Sequence, residues 1–337
     1  MQQFGPIAVL LVALTAGGCT GSVSGGEAER SDAASNPTLD SGADDADPVD
    51  AAVSTTPDAA QTGSPDAAPA PEPITFFFGY FTYDPSTYLA EMDGHCNVVL
   101  GWSTFEVIED ARSRGIRPIV WLATILQLWD STASGLVLKS NYLEIWNAYA
   151  AQLAPYIDDI YGFYPADEPF WAAGLSVADQ NALNTAIKAS FPDKPILTTF
   201  ARPTIDDSSF TVPATYDIVS YDQYGASFDE DKAGYELLKS KLSPGQKMFL
   251  LGDAFVPDFS VTDEQQWLRA NKIYQAYDLA TTPGEPIVGI LSFVWDGFSQ
   301  DWPGTSGPYY IGLRDMPIAM EHFNNVADVA IAYGGGG

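Results

Sequence analysis

The sequence predicts an α/β chain of the (β/α)8 TIM barrel class, preceded by a signal peptide and a disordered linker. Three observations carry this. From Ile74 onward, eight short apolar runs recur over about 260 residues, the usual length of such a barrel. Most of them are followed by a stretch with helical spacing. The runs are apolar throughout instead of alternating with polar residues, as expected of parallel strands buried on both faces. A doubly wound open sheet is the alternative that the same alternation allows.

Residues 1–19 read as a lipoprotein-type signal peptide. Ile7–Leu14 is an apolar run too short to span a bilayer, and Gly17-Gly18-Cys19 puts small residues before a cysteine. This junction resembles the lipobox of bacterial lipoproteins, which implies lipidation at Cys19. It departs from that pattern in having no Lys or Arg before the apolar run, and Ala16 where Leu is commoner. Residues 20–73 hold 11 acidic residues, one basic residue (Arg30) and no aromatic, and Pro57-Asp-Ala-Ala60 recurs as Pro65-Asp-Ala-Ala68. So little apolar surface cannot offset the entropy of ordering, so a disordered acidic Ala/Asp/Pro/Ser-rich linker is expected. The expected location is the cell envelope, lipid-anchored or secreted, with membrane contact through the anchor only.

Within 74–333 the eight expected strands are Ile74–Tyr80, Asn97–Trp102, Pro118–Leu122, Ile160–Tyr164, Pro195–Thr199, Asp217–Tyr221, Lys247–Leu251 and Ile287–Val294. Helices are expected over Tyr142–Leu153 and Tyr235–Leu242. Ser176-Val-Ala-Asp179 starts another as a capping box, with Leu183, Ala186, Ile187 and Phe191 on its inner stripe. Thr262-Asp-Glu-Gln265 starts a further one, with Trp267, Ala270, Ile273, Tyr274 and Tyr277 at helical spacing. A terminal helix near Ile318–Ala332 closes the ring. Arg202–Tyr216 lacks a helical period, so that crossover is expected to be short or irregular.

Charge and cysteine usage narrow the function. Residues 74–337 carry 33 acidic residues against 14 basic, a net charge of −19. Phosphate backbones need Lys and Arg to neutralise them, so nucleic acid is excluded as a partner. Cys96 is followed by the apolar run Asn97–Leu100 and reads as a small buried side chain. The two histidines, His95 and His322, are far apart, no HExxH or Cys/His ligand spacing occurs, and neither a metal nor a cofactor is expected. A monomer is expected.

The chemistry is sought where a barrel puts it, at the C-terminal ends of its strands. Those ends carry Tyr80, Trp102, Trp121, Asp167-Glu168, Tyr221-Asp222-Gln223-Tyr224, Asp253 and Trp295-Asp296. Trp129, Trp171 and Trp302 stand in loops beyond them. Flat aromatic faces beside carboxylates make a sugar-binding rim: the rings stack on CH-rich sugar faces and the carboxylates bond hydroxyls and move protons. Glu168 sits between Pro165 and Pro169, beside Phe170 and Trp171. An apolar wall there would raise its pKa toward neutrality.

This arrangement resembles the clan of (β/α)8 glycoside hydrolases whose acid/base glutamate ends the fourth strand after an Asn and whose nucleophilic glutamate ends the seventh. The resemblance implies that Glu168 is the acid/base, with Asp167 in place of the Asn. It implies that Tyr224 is the aromatic that bonds the nucleophile and Trp295 the tryptophan of the floor. The seventh strand offers Asp253 where the clan has Glu. Asp253 is therefore the first choice for the partner carboxylate, Asp222 the second and Asp296 the third. Tyr80, Trp102, Trp121, Asp167, Trp171, Tyr221, Tyr224, Trp295 and Asp296 are the expected substrate contacts. The expected function is hydrolysis of a neutral poly- or oligosaccharide, the alternative a non-catalytic carbohydrate-binding surface lipoprotein on the same scaffold.

Overall fold

The computed structural model describes residues 74–132, 135–171, 174–257, 261–299 and 309–334. The expected signal peptide, Cys19, the linker of residues 20–73 and Trp302 lie outside the described residues. In chain order the strands and helices begin with β1 (Phe77–Thr82), α1 (Pro85–Met92), β2 (Val98–Gly101), α2 (Phe105–Ser113), β3 (Arg117–Trp121) and α3 (Leu122–Leu126). A hairpin of β4 (Trp129–Thr132) and β5 (Gly135–Leu138) precedes α4 (Tyr142–Leu153), β6 (Gly162–Tyr164), α5 (Val177–Ser190), β7 (Leu197–Ala201) and α6 (Arg202–Asp206). Then come β8 (Ile218–Asp222), α7 (Phe228–Lys239), β9 (Lys247–Asp253), β10 (Phe255–Pro257), α8 (Asp263–Ala280), β11 (Ile287–Phe293), β12 (Phe298–Ser299), β13 (Tyr309–Gly312) and α9 (Pro317–Gly334).

Eight strands pair in parallel in the order β6-β3-β2-β1-β11-β9-β8-β7. The ends of that list meet: Phe163 bridges Ile196 in parallel, and the Phe163 amide donates to the Pro195 carbonyl at 2.9 Å. The sheet is therefore a closed barrel. Gly162 makes the seam possible, because a Cβ there would lie 2.4 Å from the Pro195 carbonyl oxygen. All eight expected runs overlap barrel strands, with bounds shifted by up to three residues, and the open-sheet alternative is excluded by the closure.

Two apolar layers follow from the strand period of two. Phe77, Phe81, Leu100, Ile119, Tyr164, Leu197, Ile218 and Phe249 fill the barrel interior. Phe78, Tyr80, Val99, Val120, Val219 and Leu250 face the helices, where they meet Trp146, Leu183, Ile273 and Phe323. Ser176 and Thr262 cap α5 and α8 through their hydroxyls, accepting from Asp179 N (3.0 Å) and Gln265 N (3.2 Å). Helix α7 starts well before the expected Tyr235. Ser227 and Glu230 form a reciprocal capping box at its start, and the acidic first turn of Asp229, Glu230 and Asp231 hides the helical period. The crossover after the fifth barrel strand is the five-residue α6, as short as expected.

Two additions shape the barrel mouth. The β4–β5 hairpin packs Trp129 and Leu136 on Ala166 and Leu175, which flank the end of β6. The second is the antiparallel sheet β10-β13-β12, beyond the ends of β9 and β11.

Candidate active site

Strand β6 ends at Tyr164, and Pro165 stops it because proline donates no ladder hydrogen bond. Three residues on, Glu168 adopts φ 39°, the left-handed region that a β-carbon disfavours. Its amide donates to Thr199 O on β7 (3.1 Å), and its carbonyl accepts from Trp171 N (3.1 Å), so the neighbouring backbone holds the turn in place. The side chain is 8% exposed.

The Glu168 carboxyl makes hydrogen-bond contact with that of Asp222, the last residue of β8. Burial pushes Glu168 up to about 7, the Asp167 charge pushes the same way, and the bond to Asp222 opposes both. Asp222 is raised well above the ordinary aspartate value, first by burial and then by the charge and hydrogen bond of Glu168. Two carboxyls in contact cannot both ionise cheaply, so the pair holds one proton between them. Asp167 is reached by solvent while protein closes around it. Burial raises its carboxyl, opposed by hydrogen bonds from Tyr164 Oη (2.5 Å to Oδ1) and from the Glu168 amide.

Tyrosines ring these acids. Tyr224, two residues beyond β8, has its phenol raised by burial and then by the charges of Asp222, Asp167 and Glu168. Tyr83, just past β1, is raised by burial and then by Asp167 and Asp296. Asp296 accepts the Tyr83 amide (3.1 Å) and is raised by burial, with bonds from Thr82 and Tyr83 opposing. Trp121 lies in the mouth against Phe81 (5.2 Å between ring centroids) and Tyr164 (6.4 Å). Phe293 makes ring contacts with Tyr83, Tyr224, Phe255 and Phe298. Trp102 and Trp171, 39% and 43% exposed, present faces to solvent just past β2 and β6.

Four expectations are corrected by this geometry. Asp253 does not face Glu168. Lys272 Nζ lies 3.4 Å from its Oδ2 and Arg269 Nε 3.4 Å from its Oδ1, both from α8, and the Gly225 amide donates to Oδ2 at 3.1 Å. Arg269 Nε spends its proton on Phe255 O (3.1 Å), so its contact with Asp253 is one of charge. A carboxylate buried to this degree settles where two cations can compensate it. Tyr80 and Trp295 pack on each other (4.8 Å) in the outer layer, where Trp295 Nε1 donates to Glu91 on α1 (3.2 Å). Phe293 takes the place at the mouth expected of Trp295. Tyr221 is also in the outer layer, its hydroxyl donating to Asp231 O (2.5 Å).

The apolar wall expected beside Glu168 is different too. Phe170 stacks on Phe200 (5.9 Å) behind the barrel, so burial among Asp222, Asp167 and Tyr224 accounts for the raised carboxyl. Sequence reasoning missed Tyr83, Tyr164 and Phe293. The first could be found by counting: Phe77, Phe81 and Tyr83 share one parity along the first strand, and Phe78 and Tyr80 share the other.

No family model matches the chain, and no curated protein does. Solved structures share its fold. A GH2 β-galacturonidase from Eisenbergiella tayi, bound to galacturonate, superposes with a TM-score of 0.55 at 11% identity, over 76% of this chain and 51% of that one. A thermostable mutant of a xylanase from Cellvibrio japonicus gives 0.51 at 12% identity, over 75% and 98%. A β-glucuronidase from an uncultured Clostridium sp. gives 0.50 at 12%, over 74% and 50%. The chain thus spans about half the length of the galacturonidase and the glucuronidase. Glycoside hydrolases are among the structures built on this barrel, and the likeness at such identities is one of fold.

Proposed function

We propose that the chain hydrolyses glycosidic bonds of a neutral glycan with retention of configuration, Glu168 acting as acid/base and Asp222 as nucleophile. The observation that carries this is the buried Glu168–Asp222 carboxyl pair, in hydrogen-bond contact where β6 and β8 open into the mouth. Without substrate the proton lies on Asp222, which donates to Glu168, and it passes to Glu168 as substrate enters. A glycosidic oxygen entering the mouth takes the place of Asp222 as Glu168's partner. Glu168 protonates it as the C1–O bond breaks, and the freed Asp222 carboxylate bonds to C1. Water then attacks C1, gives its proton to Glu168 and releases Asp222.

Retention is favoured because the carboxyls start in contact. A retaining pair works about 5–5.5 Å apart and an inverting pair about 6.5–9.5 Å, and the smaller opening is the easier for one glutamate side chain to make. Neutrality is supported by the local field. The charged or ionisable groups that shift Glu168, Asp222, Tyr83 and Tyr224 are carboxylates and phenols, with no Lys or Arg among them. A uronic acid would add its own carboxylate to that field. Trp102 and Trp171 would stack sugar rings on either side.

Glu168→Gln keeps the shape and removes the proton, so cleavage of substrates with poor leaving groups should fall by about 10² to 10⁴-fold. Azide should rescue Asp222→Gly by forming a glycosyl azide. A folded Glu168→Gln with near wild-type rates, or first-formed sugar of inverted configuration, would remove the assigned roles.

A further inference from the structure

Behind the carboxyl site, between α7, α8 and the end of β9, lie four charged side chains: Asp231, Asp253, Arg269 and Lys272. Their side chains are 12%, 3%, 10% and 14% exposed, two acids balanced by two bases. Among the described residues no other cluster of opposite charges is buried to this degree. A buried ion cluster of this kind is a poor device for stability, since apolar residues of equal volume often do as well or better. Its contacts point to another use.

Lys272 Nζ lies 2.7 Å from Asp231 Oδ2, donates to the Ala226 carbonyl at 3.0 Å, and reaches Asp253 Oδ2 at 3.4 Å. The three protons of an ammonium group are thereby matched to three acceptors. Asp253 Oδ2 also accepts the Gly225 amide at 3.1 Å. The backbone of two consecutive loop residues, one donor and one acceptor, is gripped from a single point. That loop joins β8 to α7. It begins at Asp222, carries Tyr224, and ends at the Ser227 cap. Arg269 Nε holds the Phe255 carbonyl at 3.1 Å, and the Phe255 ring packs on Tyr224 at 5.0 Å between centroids. Tyr224 is therefore held on both sides, through its own loop and through the ring it packs against.

We propose that Lys272, acting with Asp253, is a positioning residue that clamps Gly225–Ala226 and so sets Asp222 and Tyr224 against Glu168. The seventh-strand carboxylate serves the site from behind as an anchor and takes no part at the sugar. This rests on the glycosidase reading only for its kinetic readout; the placement of the acids is measured without substrate.

The test compares the wild type with Lys272→Met/Asp253→Asn, which removes one charge of each sign, and with Lys272→Arg, which keeps the charge but cannot meet three acceptors from one atom. Carboxyl-¹³C NMR, assigned with Glu168→Gln and Asp222→Asn, follows the two acids with pH in each folded protein. In the double variant the Asp222 midpoint should fall by about one unit or more toward the ordinary aspartate value, because the Glu168 charge and hydrogen bond that raise it are lost, with a smaller fall in Lys272→Arg. In the kinetic arm kcat should fall by about 10²-fold, the cost of a misplacement of about 1 Å, with KM changed far less. Wild-type titration of Glu168 and Asp222 in every folded variant would overturn the proposal, and Lys272→Arg keeps the charge balance on which folding depends. If the wild type cleaves no glycan, the glycosidase reading fails while the titrations still decide this one.

Discussion

Glu168 carries two costs at one position. Its backbone sits at φ 39°, which for a residue with a β-carbon costs on the order of 1–3 kcal/mol. Its carboxyl is buried beside Asp167 and Asp222, and burial pushes it up to about 7, well above the ordinary glutamate value. Between those two values the folded chain binds more protons than the unfolded one, so stability falls as pH rises through that window and is lowest above it. Glu168→Gln removes the titration. It should therefore stabilise the chain more at pH 8 than at pH 5, with a difference on the order of 1–3 kcal/mol in urea unfolding. Equal effects at both pH values would mean that the carboxyl is not buried as described. The same titration sets the expected activity profile: an acid that must be protonated loses rate as pH rises through about 7.

Among elements, β6 matters most, because it both closes the barrel and delivers Glu168. Its partner on the far side is β7, and the seam between them rests on the Phe163–Ile196 bridge and the contact of Gly162 with Pro195. Gly162→Ala would put a methyl group against backbone that cannot move without opening the seam. It should cost about 1–3 kcal/mol, read as a lower urea midpoint. Loss of activity should exceed loss of stability, because the Glu168 amide is held by Thr199 across that same seam. Unchanged stability in Gly162→Ala would show that the seam has slack.

For the whole molecule, the barrel and residues 1–73 make separate demands. The barrel carries its acids at the mouth with an excess of negative charge over residues 74–337. We propose that Cys19 ties it to a membrane by a lipid, with residues 20–73 supplying reach. Cys19→Ala should move the protein from the membrane fraction to the soluble fraction and leave kcat on a soluble glycan unchanged. Identical fractionation of the two forms would refute the anchor.

The sequence by itself determined the eight strands and their parallel pairing, because length, apolar runs and strand–helix alternation are local properties. It also placed Glu168 and Asp222 at strand ends, and their meeting follows from β6 and β8 flanking β7. Only the tertiary structure decided which aromatic or acid faces the mouth. A strand buried on both faces, such as the one through Phe76, Phe77, Phe78, Tyr80, Phe81 and Tyr83, has no polar side to reveal its orientation. Tyr80, Tyr221 and Trp295 therefore looked like rim residues and are packed behind it. Asp253 was decided at longer range still. Its carboxylate went to Arg269 and Lys272, more than a dozen residues away on α8, because a buried charge takes the compensation that the packed helices bring to it.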